Sequence, residues 1–267
     1  MPILYQGCIG DEVARLQALL CLAEIDSRPI DGNFGPATER AVRACQMRRD
    51  LPATGQADLR TQELIGMNRP DTTKIFVPVI DRVTPDIVAQ MFSRLVPRSN
   101  IEAYLPPVLA ALLQSGLDDR EIVLMALATI RAETARFEPL SERLSRYNTD
   151  PGAHPFNRYD NRIDLGNRGR PDGESFKGRG FVQITGRANY QHYGERLGLH
   201  LVEEPELANQ PEVAANILAA FIADKRDHAK YAILGNDLKT TRRLVNGGSH
   251  GLWRFTQAFE TGLRLLA

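Results

Sequence analysis

The chain has 267 residues, 43% hydrophobic and 25% charged, a profile that excludes a disordered, collagen-like or bare coiled-coil protein. Lys plus Arg equal Asp plus Glu at 33 each, so the basic excess of a phosphate-neutralising nucleic-acid binder is missing and no nucleic-acid partner is expected. The length exceeds the comfortable size of one core, and two domains are expected. Cys8, Cys21 and Cys45 are odd in number and sit among apolar residues, which reads as free packing thiols rather than a disulfide framework. No apolar run approaches the ~20 residues of a membrane span. The opening Met1–Gly7 lacks a charged n-region and an apolar h-region. Synthesis in the cytoplasm, with another route to any target outside, is the expectation.

In chain order, the first helix follows Gly10, with Asp11 as its expected cap and Val13, Leu16, Leu20 and Ala23 at helical spacing. The run Asp31-Gly32-Asn33-Phe34-Gly35-Pro36 is a tight turn whose proline suits the first position of a second helix, with Ala37, Ala41, Val42 and Cys45 inward. Thr54-Gly55 turns into a short third helix carrying Leu59 and Leu64. The halves are loosely self-similar: Gly10 with Leu16-Gln17, against Gly35 with Val42 and Gln46. A three-helix unit over residues 1–66 is therefore expected.

This segment resembles the peptidoglycan-binding domain type 1 family through Gly10, Glu12-Val13, Leu16-Gln17, Leu20, Asp31-Gly32, Phe34-Gly35, Thr38, Ala41-Val42, Gln46, Thr54-Gly55, Asp58, Thr61 and Leu64. Most of these are turn glycines and core positions. The resemblance implies attachment to the bacterial cell wall, with Asp31, Phe34 and Gln46 as candidate contacts.

Residues 67–80 read as a linker, polar and proline-interrupted up to Lys74, then apolar from Ile75 to Ile80 as a strand-like extension. The remaining 81–267 are expected to form the second domain. Thr84-Pro85-Asp86 supplies a cap, a first-turn proline and a first-turn acid. Two further helices are predicted over 103–116 and 119–136, the second opened by Asp118 or Asp119. Its interior, Ile122 to Ala128, is apolar nearly all round and belongs at a domain centre. Glu133 closes that helix, where partial desolvation suits a general acid; a salt bridge to Arg131 or Arg136 is the structural alternative.

Glu142 lies nine residues on. One continuous helix would separate the two carboxylates by ~13–14 Å and half a turn, but Pro139 bars that helix. A bend before Pro139 can return Glu142 across a cleft at the ~6.5–9.5 Å an inverting glycosidase needs. Glu138, directly before the proline, is the competitor and is expected to face solvent. In residues 177–190, glycines bracket a β-prone stretch, Phe181–Thr185, whose alternation puts Gln183 and Thr185 on one face. Asn246, before Gly247-Gly248, is either a helix C-cap or a contact residue.

Residues 84–267 resemble the family 19 glycoside hydrolases, in the branch of phage endolysins and bacterial chitinases. The carrying blocks, in the family's order, are Ala132-Glu133-Thr134, Phe137 with Leu140-Ser141-Glu142, the run Gly178–Tyr190, and Arg242 with Asn246-Gly247-Gly248. The resemblance implies a general acid at Glu133, a general base at Glu142, a water-holding hydroxyl at Thr185, and sugar contacts at Gln183, Asn189, Tyr190 and Asn246. One departure is Ala135-Arg136 where the family commonly has two glycines, which sets a cation beside the acid.

The fold class expected is mainly α: a small three-helix wall-binding domain joined to a larger, lysozyme-like, mostly helical domain with a short β element. The expected activity is inverting hydrolysis of β-1,4 bonds in peptidoglycan glycan strands, by a monomer, without cofactor or metal, after the inner membrane has been breached. A chitinase, a lytic transglycosylase with one acid and no base, and a non-catalytic wall-binding scaffold are the rivals. Five scattered histidines show no H-E-x-x-H, no C-x-x-C exists, and no G-x-S-x-G is present, against zinc and serine hydrolases.

Overall fold

The computed structural model describes residues 2–71, 78–92, 96–134, 136–246, 248 and 250–267. It divides into two compact units, residues 1–77 with 225–252 and residues 78–224 with 253–267. In both, helices are nearly all of the regular secondary structure among the described residues.

In the first unit, α1 (Asp11–Leu22), α2 (Pro36–Arg48) and α3 (Leu59–Ile65) fall where the periodicity predicts. Gly10, rather than Asp11, is the N-cap of α1, and Asp11 stands in the first turn. Val13, Leu16, Leu20, Phe34, Val42 and Cys45 share one core. Two buried glutamines give the self-similarity its physical basis. The Gln17 amide donates to Asn33 O (3.0 Å) and Thr38 Oγ1 (2.9 Å) and accepts from Gly32 N (3.0 Å). Gln46 donates to Gln56 O (2.8 Å) and Thr61 Oγ1 (3.1 Å) and accepts from Gly55 N (2.9 Å). Each glutamine thus satisfies a glycine turn and ties it to a threonine of the next helix, leaving few buried polar groups without partners.

This unit also takes in α10 (Arg226–Leu234) and α11 (Leu238–Asn246), a stretch the sequence reading assigned to 81–267. Ala14, Ala18 and Ile30 are buried together with Tyr231 and Ala232. The Ile30 N–H donates to Asp237 Oδ2 (3.1 Å). Gly235 leaves room for Ile30, since a Cβ there would stand 2.1 Å from the Ile30 Cδ1 atom. Linear spacing carries no sign of these long-range pairings. Cys45 is buried, Cys8 and Cys21 partly so, and all three are free thiols.

In the second unit, Pro78 bridges Asp119 and the Val79 N–H donates to Asp118 O (3.0 Å); residues 72–77 of the expected linker lie outside the described residues. Thr84 caps α4 (Pro85–Met91), accepting from Ile87 N. Helix α5 (Arg98–Gln114) packs on α9 (Pro211–Ala223), and α6 (Arg120–Glu133) runs through the middle. Asp119, one of the two caps expected, accepts from Ile122 N, and every residue from Ile122 to Ala132 is buried. Gly262 of α12 (Leu252–Leu265) lets that helix approach Leu124 and Met91. Between Ser141 and Gly186 regular structure is sparse, with α7 (Asp172–Ser175) and short 3-10 turns. Polar ties hold this stretch instead. Arg187 forks onto Asp172 (2.8 and 2.6 Å), Asn167 accepts from Arg187 N (2.8 Å), and Asp160 accepts from Gly173 N (2.9 Å).

Candidate active site

Glu133 is the last residue of α6 and is half-buried. Thr134 follows in extended conformation, fully buried, with its hydroxyl on Ile130 O (3.2 Å). The helix therefore ends six residues before Pro139, beyond the four-residue reach of a proline ring. Pro139 is therefore not what ends the helix. Phe137 adopts a left-handed φ of 53° and is buried, its ring edge-on to Phe92 at 5.1 Å and 6.2 Å from Phe181. An aromatic anchor turns the chain, and Pro139 follows the turn already made.

The flanking charges are occupied. Arg136 pairs with Glu138 (3.2 Å), and Asn100 donates to the other Glu138 oxygen (3.2 Å). Glu138 is thus a tied, half-buried group, not the solvent-facing one expected. Arg131 is buried with its guanidinium over Phe92 (5.9 Å), and burial pushes it below the ordinary arginine range.

Glu142 is seated by donors from three directions. Its N–H donates to Gly178 O (2.7 Å), while Oε2 accepts from Gly178 N (3.2 Å). Oε1 accepts from Asn148 Nδ2 (2.8 Å) and from the Tyr159 hydroxyl (2.9 Å). Space at 178 is tight: a Cβ there would lie 3.0 Å from Gln183 Oε1 and 3.3 Å from both Cβ and Oε2 of Glu142, so those side chains would have to give by a few tenths of an ångström. Burial, and after it the charge of Glu142, pushes the Tyr159 phenol up to about 12. Asn148 is itself buried and fixed, accepting from Ser145 N (2.9 Å) and donating to Arg143 O (2.9 Å). Asn148, Tyr159 and Gly178 as a seat were not anticipated, and no periodic pattern in the sequence marks them.

The expected β-strand over Phe181–Thr185 is absent. Arg179 and Ile184 exchange backbone hydrogen bonds (3.3 and 3.1 Å) around a tight loop, with Gly180 at φ 82° and Gln183 at φ 52°. Two left-handed residues break the extended backbone, so the alternation does not place Gln183 and Thr185 on one sheet face. The Gln183 amide instead donates to Leu140 O (2.7 Å) and Gly180 O (2.9 Å), tying the loop to the segment before Glu142. The Thr185 hydroxyl donates to Gln183 O (3.1 Å), and the exposed Asn189 donates to Thr185 O (2.7 Å).

Tyr190 requires correction as a sugar contact. It is fully buried beside Phe176 (5.3 Å), donating to Lys177 O (2.7 Å) and accepting from Arg179 Nη1 (2.9 Å). Burial pushes its phenol up to about 12. Arg179, also buried, spans Ser175 O (2.7 Å), Tyr190 and Glu206, and so fixes the loop carrying Gly178. Asn246 ends α11 in the first unit, and its side chain lies outside the described residues, as does Gly247. Among the described residues no cluster of His, Cys, Asp and Glu could hold a metal ion, and no helix is long and apolar enough to cross a membrane.

Two of the wall-contact candidates also fall in the interior. Phe34 is 2% and Gln46 1% exposed, the first in the core and the second spent on its turn. Asp31 is partly exposed, accepting from Asn33 N (3.0 Å).

The protein these units define is mainly α, and its residues 9–65 match the family described as "Putative peptidoglycan binding domain". Similar solved structures include a mutant of chitinase C (16% identity, 69% of this chain and 92% of that one, TM-score 0.47). Chitinase C from Streptomyces griseus HUT6037 is similar at 19% identity, over 69% and 76% of the chains, with a TM-score of 0.44. A Burkholderia AP3 phage endolysin is similar at 18% identity, over 98% and 100%, with a TM-score of 0.25.

Proposed function

We propose that this chain hydrolyses β-1,4 glycosidic bonds of bacterial peptidoglycan with inversion, and that it acts on the wall once the inner membrane is breached. The observation that carries this reading is the seat of Glu142. A carboxylate accepting from a backbone N–H, an amide and a phenol is fixed in one orientation, as a base that aims a water must be. Glu133 stands at the carbonyl end of α6 and takes the role of general acid, protonating the leaving oxygen. The Thr185 oxygen, donating to Gln183 O, retains lone pairs to accept from the attacking water. The peptidoglycan-binding match over residues 9–65 supports the wall polymer as substrate and raises local concentration on an insoluble target. The test is Glu133→Gln: turnover of purified sacculi should vanish while sedimentation with them persists. Mass spectrometry of wild-type digests should show reducing muropeptides. Anhydro ends would replace hydrolysis by transglycosylation, and reducing ends from chitin but not from sacculi would replace the substrate.

A further inference from the structure

With Phe34 and Gln46 interior, the first unit needs another surface to meet the wall. It has a cavity of about 540 Å³ beside the C-terminal ends of α2 and α3, within the ~300–1,000 Å³ of small-ligand sites. Its floor is apolar, with Ile25, Ile65 and the buried Cys45. Burial pushes the Cys45 thiol up, against the pull of the nearby Arg49 and Arg48 charges, so the floor is neutral. Its rim carries Arg48, Arg49 and Arg69, and no Asp or Glu lines it. Arg28 and Arg43 elsewhere in the unit pair with Asp26 and Glu39, whereas these three have no such pair among the described residues. Arg48 reaches only backbone oxygens, Ala23 O (3.4 Å) and Glu24 O (3.5 Å).

We infer that this cavity binds the acidic peptide of the wall rather than its glycan. Three guanidinium forks around an apolar floor match carboxylates on a short aliphatic chain. Neutral sugar rings offer no charge to them, and no aromatic face lines the cavity to stack on a ring. In a cross-linked wall the stem peptides carry the carboxylates, so the anchoring unit grips peptide and leaves the glycan to the other unit. This rests on the peptidoglycan reading above.

The test uses the full chain in a Glu133→Gln background, so that sacculi persist. Calorimetry compares the peptide Ala-Glu-Lys-Ala with its fully amidated form. Sedimentation compares intact sacculi with glycan strands stripped of peptide by an amidase and then amidated at the lactyl carboxylates that the amidase exposes. The acidic peptide should bind at least tenfold more tightly than the amidated one, and stripped strands should sediment less protein. Arg49→Ala with Arg69→Ala should weaken both peptide and sacculus binding at least tenfold with an unchanged melting temperature, and the corresponding lysine pair should fall between. Equal binding to stripped and intact strands, with no effect of the alanine pair, overturns the inference and leaves wall binding standing. Arginine-dependent peptide binding without sacculus binding does the reverse: the cavity stands and the peptidoglycan reading falls.

Discussion

Replacing Glu142 by glutamine tests the seat with almost no change of shape. Its three side-chain partners described above are all donors: Asn148 Nδ2, the Tyr159 hydroxyl and Gly178 N. An amide has one oxygen and one NH2. Asn148 cannot flip to meet the NH2, because its Oδ1 already accepts from Ser145 N and its Nδ2 also serves Arg143 O. The new oxygen must therefore face Asn148, which turns the NH2 toward the Gly178 N–H, 3.2 Å from the atom it replaces. One buried donor is stranded, at a cost of about 1–3 kcal/mol, which for a chain of this length lowers the melting temperature by roughly 2–4 °C per kcal/mol. The charge change has its own readout. Tyr159 sits at about 12 through burial first and Glu142 second, so its phenol should titrate lower in the variant yet stay above the ordinary tyrosine value. Glycan hydrolysis should fall by ~10²–10⁴-fold if Glu142 is the base. Calorimetry, tyrosine-ring NMR titration and reducing-end release read the three effects separately. A variant that melts like the wild type with Tyr159 unmoved would refute the seat, whatever happened to activity.

Gly178→Ala should reduce activity by roughly tenfold or more, at about 1.4 kcal/mol per decade, with little loss of stability. Its methyl meets Gln183 Oε1 at 3.0 Å and Glu142 Oε2 at 3.3 Å; unchanged sacculus turnover would count against the geometry. Asp172→Asn should destabilise by about 3 kcal/mol, since it breaks a buried fork to Arg187. That fork holds the Asp172 carboxyl below its ordinary range, so its stabilisation is complete above about pH 4 and is lost as pH falls through the lowered folded value; acid unfolding of the variant should lack this component. Asp237→Ala removes the acceptor for Ile30 N (3.1 Å) and Thr240 N (3.0 Å) and should cost about 2 kcal/mol. Hydrogen exchange should quicken around Ile30 as well as in α11; exchange confined to α11 would argue that 225–252 is not part of the first unit.

The helices were legible because they rest on local rules. Thr84 and Asp119 cap the helices they precede, and the apolar run from Ile122 to Ala128 is a central helix because no face of it can meet water. The site was legible only as a list of residues. Glu142 meets Gly178 across 36 positions, Arg179 meets Glu206 across 27, and Gln183 meets Leu140 across 43; such pairings leave no period in the chain. Where local pattern was trusted alone it misled. Phe181–Thr185 alternates like a strand, but tertiary ties hold Gly180 and Gln183 at positive φ. Tyr190, Phe34 and Gln46 stand in distinctive motifs because the fold needs them inside, which a motif cannot distinguish from contact with a ligand.

The irregular stretch from Ser141 to Gly186 is also where rigidity matters most, and its polar ties supply it. Gly178 is fixed from one side by Glu142 and from the other by Arg179, whose buried guanidinium holds Ser175 O and Tyr190. Gln183 fastens the same loop to Leu140, two residues before Glu142. Charge-assisted bonds inside a partly desolvated network are stronger than their counterparts in water. On the proposed reading of Glu142 as the base, the carboxylate is aimed before substrate arrives, and little reorganisation is left to the reaction itself. A helix could not place a backbone N–H against Glu142, because interior helical N–H groups are already committed to the ladder. A loop with spare backbone donors can, provided side chains such as Arg179 and Gln183 hold it still.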